Sequence, residues 1–333
     1  MLCEKMNKKC YLSSIGTYIP TGRISCDEIA HTHNIFERIY DKNINKPFTD
    51  ESIIAIAAKS AERALSRAKI NIDDIDLIIG STTGPGLDVG LSFSAGVQNK
   101  LKQRQLSNCE CIDVGVRCIG SIQSIDIARS KILLNSVKNV LIVLASKSSA
   151  TLNDASLNAN PSCVYFGDGA ASAILTSDPL NRRLIIFGSS KVITHGEFWS
   201  ASYYSIKKQT YNSSNLSLCF NKNVLNDKFK ELDDTITKNI LIEIAEKIGV
   251  PLKDIDGLVA LNRSKKYKEA LSEITGLPRK YIFTSQQEYG HLGPADLLVN
   301  LELFLEEKKK FRNAILLATS FGYHWGALPI HEL

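Results

Sequence analysis

Within CECIDVGVRCIGSIQSIDIARSKILL, residues Cys109 to Leu134, the cysteine at position 118 stands at a chemically useful point. Before it, Cys111 to Val116 reads as a short, mostly apolar strand. After it, Ile119, Ile122, Ile125, Ala128 and Ile132 recur at the three-and-four spacing of one helix face. Cys118 therefore falls where a strand hands over to a helix. There, unsatisfied backbone N–H groups and the positive end of the helix dipole favour the thiolate, the nucleophilic form of cysteine. A cysteine taken alone is more often a small buried core residue, so its role depends on what partners the fold can bring.

The second half offers partners in YGHLGPADLLVNLELFLEE, Tyr289 to Glu307. His291 precedes a helix whose start is signalled by Gly293 and Pro294, and Asp296 sits in its first turn, where a carboxylate suits the dipole. Each alone fits a packed loop histidine and a capping carboxylate. Together they can act as a base and its orienting partner. After the last apolar run comes SFGYHWG, Ser320 to Gly326, where Gly322 permits a tight turn with an exposed N–H. That N–H and the one of Cys118 could form an oxyanion hole. Phe166 to Ala171 (FGDGAA) is a glycine-rich turn lacking a phosphate-loop lysine.

To bring these residues together the chain needs a scaffold, and its composition is that of an ordinary globular protein. Of its 333 residues, 44% are apolar and 23% charged, and the formal charge of +5 is dispersed, calling for neither nucleic acid nor a membrane surface. No apolar run has the length of a signal peptide or a membrane span, so a cytoplasmic location is expected. The eight cysteines lack zinc-site or disulfide spacing; they are expected to be reduced, with no metal.

Strand and helix patterns alternate. Cys10 to Pro20 reads as a first strand and turn. A helix from Glu51 is expected to be capped by Thr49 or Asp50, Ile75 to Thr83 is a strand, and Leu91 to Lys102 is another helix. Asn139 to Ala145, NVLIVLA, is the uninterrupted apolar run of a strand covered on both faces. The pattern occurs twice. INIDDIDLIIGS (Ile70–Ser81) is answered by VPLKDIDGLVAL (Val250–Leu261), and KNVLIVLAS (Lys138–Ser146) by RNAILLATS (Arg312–Ser320). Two similar α/β halves follow, each expected to hold a mostly parallel sheet with helices. The expected division is residues 1–176, a variable insertion over the junction at 177–233, and 234–333. If the halves stack by pseudo-twofold symmetry, Cys118, His291 and Asp296 converge.

In combination, SSIGTYIPTGRIS, DVGVRCIGSIQSIDIA, FGDGAASAIL and FGYHWGALPI resemble ketoacyl-ACP synthase III and its relatives among the thiolase-fold condensing enzymes, over nearly the whole chain. The resemblance implies a five-layered α-β-α-β-α core, a homodimer, an acyl thioester on Cys118 and an oxyanion hole from the Cys118 and Gly322 amides. It also implies an acyl carrier protein or CoA thioester as donor, with no cofactor.

The sequence departs from the chain-elongating members where it bears on function. Their P-H-Q-A-N histidine is replaced, at Leu261 in Ala260-Leu261-Asn262-Arg263-Ser264, and their asparagine after a glycine is His291 after Gly290. Those two groups stabilise the enolate formed when malonyl-ACP loses carbon dioxide. Gly-His followed five positions on by Asp instead resembles the divergent acyltransferase branch, in which a Cys–His–Asp set passes an acyl group to an alcohol, amine or carbon nucleophile of a small molecule in secondary metabolism. The tryptophan that stacks on the CoA adenine is also missing, with only Phe36 and Tyr40 nearby, which favours a carrier-protein donor. A ketosynthase or cyclase that forms C–C bonds and a non-catalytic partner subunit are the alternatives. Phe93, His195, Phe198, Trp199, Leu261, Asn262 and His324 are the candidates to line the substrate site, with Leu91 contributing to pocket depth.

Overall fold

The computed structural model describes residues 8–39, 43–83, 90–101, 109–178, 185–210, 213–320 and 323–333. The first half begins with β1 (Tyr11–Tyr18) and a ribbon of β2 (Arg23–Ser25) and β3 (Asn45–Pro47) enclosing α1 (Cys26–Thr32) in sequence. α2 (Ile53–Ala68) follows. Its cap is Ser52, whose hydroxyl accepts the Ala55 N–H at 3.2 Å, whereas Thr49 accepts only the Glu51 N–H just outside the helix. A cap must lie directly before the first turn to reach its free donors, which excludes Thr49 and Asp50. The half continues through β4 (Leu77–Thr83), α3 (Phe93–Lys100), β5 (Glu110–Asp113), α4 (Gly120–Leu133), β6 (Asn139–Lys147), α5 (Asp154–Ala159) and β7 (Asp168–Thr176).

The middle segment supplies β8 (Ile185–Phe187), β9 (Lys191–Thr194) and a hairpin of β10 (Ser202–Thr210) with β11 (Ser213–Phe220). α6 (Asp227–Lys247) opens the last part, followed by β12 (Gly257–Ala260), α7 (Lys265–Thr275), β13 (Ile282–Phe283), α8 (Gln286–Tyr289), α9 (Ala295–Glu307), β14 (Asn313–Ser320) and β15 (His324–Glu332).

Short α5 and α8 apart, the order α6-β12-α7-β13-α9-β14-β15 repeats α2-β4-α3-β5-α4-β6-β7. Pairing repeats as well: β4 runs parallel to β5 and β6, and β12 parallel to β13 and β14. The halves are nevertheless mixed rather than mostly parallel, because β7 returns antiparallel to β6 and β15 antiparallel to β14. The β14–β15 turn, with Ser320 opposite His324, is too short for the crossover that a parallel partner needs. Nor do the sheets end separately: β8 pairs with both β1 and β15, and among the described residues this gives one eleven-stranded sheet.

The repeated Asp-Ile-Asp has a structural reason. One carboxylate oxygen of Asp76 accepts the N–H groups of Lys138 and Asn139 at 2.7 and 2.8 Å. Asp256 accepts those of Arg312 and Asn313 at 2.8 and 3.0 Å. In each half an aspartate just before one strand fixes the start of its neighbour.

The apolar run of β6 divides between two cores, as the period of a strand requires. Val140, Ile142 and Leu144 join a central core with Ile119, Ile122, Ile125, Ala128 and Ile132 of α4 and Leu297, Leu298, Leu301 and Phe304 of α9. Leu141, Val143 and Ala145 face α2 and α3 on the outside. α6 and α7 cover the outer face of the second half's part of the sheet through Ile240, Ile244 and Leu271 against Leu258, Ile315 and Leu317. The layers are thus helix, sheet, helix pair, sheet, helix, with α4 and α9 at the centre. No helix among the described residues is long and apolar enough to cross a membrane.

Candidate active site

α4 carries Cys118 at its threshold. A single 3-10 turn, Arg117–Ile119, intervenes between the end of β5 and the helix. The sharp reversal forces Arg117 to φ 58°, a left-handed conformation that costs a side-chain-bearing residue about 1–3 kcal/mol. Its guanidinium donates to Ser202 Oγ at 2.7 Å and lies 5.1 Å over the Tyr204 ring, so the β10–β11 hairpin braces the turn. Cys118 is itself 95% buried, at 5% exposure, on the wall of a cavity of about 300 Å³.

Opposite stands His291, in the loop between α8 and α9. Its backbone N–H donates to Tyr165 O at 2.8 Å and its carbonyl accepts the Gly167 N–H at 2.9 Å. The glycine-rich FGDGAA turn therefore holds the histidine loop. Gly290 and Gly293 bracket it at φ 64° and 57°, and a side chain on Gly290 would put Cβ 2.2 Å from Tyr165 O. Only glycine satisfies both the left-handed backbone and this close approach.

The ring bridges sulfur and carboxylate. His291 Nε2 lies 3.3 Å from Cys118 Sγ, and Nδ1–H donates to Asp296 Oδ2 at 2.5 Å. Asp296 is fully buried in the first turn of α9 and also accepts the Leu292 N–H, the Asn262 N–H and the Asn262 side-chain amide at 2.8, 3.0 and 3.0 Å. Burial pulls the His291 ring down, but the Asp296 carboxylate and the Cys118 sulfur outweigh it and hold the ring up at about 10. At neutral pH this is an imidazolium facing a sulfur atom. Burial, only partly opposed by the Arg129 and Lys46 charges, pushes the Cys10 and Cys163 thiols up to about 12, which keeps them protonated and unreactive.

Asn262 was expected to touch substrate, and it does line the cavity, but most of its hydrogen bonds face inward. Its amide donates to Gly290 O at 2.8 Å and Ser285 Oγ at 3.1 Å, and its carbonyl accepts from Ser285 N–H and Asn300 Nδ2 at 2.9 and 3.0 Å. Ser285 and Asn300 were not singled out from sequence. A lone asparagine among Leu297, Leu298, Val299 and Leu301 of α9 was the available signal, since a buried amide needs partners.

The other sequence candidates scatter. Phe93 packs in the outer core between α3 and β4, because Ser92 caps α3 and turns this first residue onto the sheet. Leu261 lies in the central core, consistent with an apolar side chain on a strand end that points between the layers. Leu91 and Trp199 are largely solvent-exposed. Neither lines the cavity. Phe198 and His195 pack edge-on around Phe229 and Trp325, behind the wall that Phe229 forms. His324, at the start of β15, shares a hydrogen bond with Thr194 Oγ1 through Nδ1 at 2.8 Å. Phe36 stacks on His31, at a ring separation of 4.0 Å. Gly322 and Tyr40 lie outside the described residues. The apolar wall of the cavity is Phe166, Leu225 and Phe229; its polar side includes Asn160, Ser162, Asp233, Arg263 and Thr319.

Comparison with known proteins places this geometry in a family. Residues 112–196 match the 3-oxoacyl-(acyl-carrier-protein) synthase III family and residues 245–331 match its C-terminal domain. A β-ketoacyl-(acyl-carrier-protein) synthase III of Clostridium perfringens is 28% identical over 309 residues, covering 91% of this chain and 90% of that protein. The structure of 3-oxoacyl-(acyl-carrier-protein) synthase III from Aquifex aeolicus superposes with a TM-score of 0.80 at 23% identity, over 97% of this chain and 99% of that one. Xanthomonas campestris OleA, solved with bound lauric acid and lauroyl-CoA, shares the fold with a TM-score of 0.82 at 16% identity, again over 97% and 99% of the two chains. The mixed, doubly layered sheet, the repeated halves and these matches have one reading: the chain belongs to the ketoacyl-ACP synthase III-like family of thiolase-fold condensing enzymes.

Proposed function

We propose that this protein is an acyltransferase in which Cys118 accepts an acyl group from an acyl-ACP or acyl-CoA thioester and yields it to a small-molecule alcohol, amine or carbon nucleophile. The observation that carries the reading is the contact chain from Cys118 through His291 to Asp296, 3.3 and 2.5 Å long, with Leu261 buried in the core at the place of the elongating histidine.

In the first step the Cys118 sulfur attacks the thioester carbon, and the donor thiolate leaves with the proton of the His291 imidazolium. Acylation removes the charge on sulfur that helped to hold that proton, so His291 is left neutral and able to act as a base. The acceptor then attacks the acyl carbon and gives its proton to Nε2, and Cys118 departs as thiolate beside a restored imidazolium. Asp296 stays ionised throughout and keeps Nδ1 as the donor side of the ring. The backbone amides of Cys118 and Gly322 are the proposed oxyanion donors. Secondary metabolism is the proposed setting and a homodimer the proposed assembly.

A second reading is a ketosynthase that forms a C–C bond, favoured by the names of the relatives above. Incubation with an acyl thioester and malonyl-ACP separates the two. The acyl-transfer reading expects no carbon dioxide release; release coupled to a β-ketoacyl product contradicts it.

A further inference from the structure

The cavity has a feature that the Cys118–His291–Asp296 chain does not use. Arg263, directly after Asn262 at the end of β12, lines the same cavity as Cys118 and is fixed on two sides. One guanidinium nitrogen donates to Asp233 Oδ2 at 2.8 Å, and the group lies 4.7 Å over the Tyr267 ring. Asp233 is buried and held in turn by Trp325 Nε1–H, at 2.6 Å from its other oxygen. A guanidinium has a planar fork of donors, and this one is held in place while 36% of its side chain stays accessible. Besides His291, it is the cationic side chain on the cavity wall among the described residues. The lining also includes the polar side chains of Asn160, Ser162 and Ser264, opposite in character to the apolar wall of Phe166, Leu225 and Phe229.

We infer that Arg263 is an anion-recognition residue, and that the molecule meeting Cys118 and His291 in this cavity carries a carboxylate or an anionic group of similar size. Its assignment as the acyl acceptor rests on the acyl-transfer reading. Asp233 and Tyr267 orient the guanidinium, leaving its remaining N–H donors for a two-point contact with the anion.

The test compares alkylation of Cys118 by N-ethylmaleimide and by 3-maleimidopropionate, which adds a carboxylate to a similar reagent. Modification is followed at the Cys118 peptide by mass spectrometry. The ratio of the two rates is read, so a variant with altered folding or a less reactive sulfur is corrected by its own neutral reagent. In the wild type the anionic reagent is expected to be favoured, and Arg263→Gln to lower the ratio roughly tenfold. Arg263→Lys, a gentler change, is expected to fall in between, because an ammonium keeps charge without the fork. The double variant Arg263→Gln/Asp233→Asn should remain as low as Arg263→Gln. An unchanged ratio in Arg263→Gln overturns the inference, and so does a ratio restored in the double variant, which would mean that local charge balance alone sets the preference. Should the ratios behave as expected while Cys118 takes no acyl group from any thioester, the anion site stands and the acyl-transfer reading falls.

Discussion

A sulfur, an imidazole and a carboxylate in a chain of contacts are common to many enzymes; what distinguishes this one is how tightly the carboxylate is held. Asp296 receives His291 Nδ1–H and three further donors, so it is held immobile in a dry setting. Asp296→Asn removes the charge that holds the His291 ring up at about 10 and offers the wrong hydrogen-bond polarity to Nδ1. Transfer is expected to slow by roughly 10²–10⁴-fold, measured as turnover of an acyl thioester. The pH sign follows from the same group. His291 binds its proton more tightly folded than unfolded, so its stabilising contribution is complete below the ordinary histidine value of 6.5 and is lost as pH rises through about 10. Thermal midpoints and donor-cleavage rates are both expected to fall across that upper window, and His291→Gln should flatten this part of the profile. The Cys118, His291 and Asp296 residues were legible from type and position. Ser285 and Asn300 were not, because they act on Asp296 only through Asn262, a link that exists in space and not along the chain.

The loop before α9 and the turn before α4 are the elements that set the reacting distance. α4 was legible almost residue by residue, since Ile119, Ile122, Ile125, Ala128 and Ile132 are all fully buried on the face their spacing marks. The histidine loop was not, because its geometry comes from Tyr165 and Gly167 on the other half and from two left-handed glycines. Gly290→Ala would meet Tyr165 O and an unfavourable φ together. We expect a loss of roughly 1–3 kcal/mol in unfolding free energy, and a larger fall in activity than in stability, since the displaced residue is the neighbour of His291. Chemical denaturation and turnover, compared on the same preparation, check both. Pocket residues were the least legible. Phe93 and Trp199 do not line the cavity as expected, because which way an aromatic at a helix start or in a loop points depends on caps and neighbours that sequence does not display.

At the scale of the whole molecule, the duplicated halves bring a nucleophile from one and a base from the other to a shared cavity, each from the segment just before its central helix. Duplication was visible in the repeated Asp-Ile-Asp, and the structure supplies its cause in the clamps at Asp76 and Asp256. Asp76→Ala and Asp256→Ala are each expected to cost about 1.5–3 kcal/mol in urea unfolding, and similar amounts, because each removes the same pair of charge-assisted hydrogen bonds. The parallel-strand expectation failed at β7 and β15, where an apolar run carries no mark of direction. What the two halves assemble is, on this account, a carrier of an acyl group, and the mass of the intact protein reads that directly. After brief exposure to acyl-CoA or acyl-ACP, the wild-type chain is expected to gain the mass of one acyl group, located on the Cys118 peptide, and Cys118→Ala to gain none. A wild-type chain that remains unmodified with every thioester donor, or an undiminished adduct on Cys118→Ala, would contradict the account.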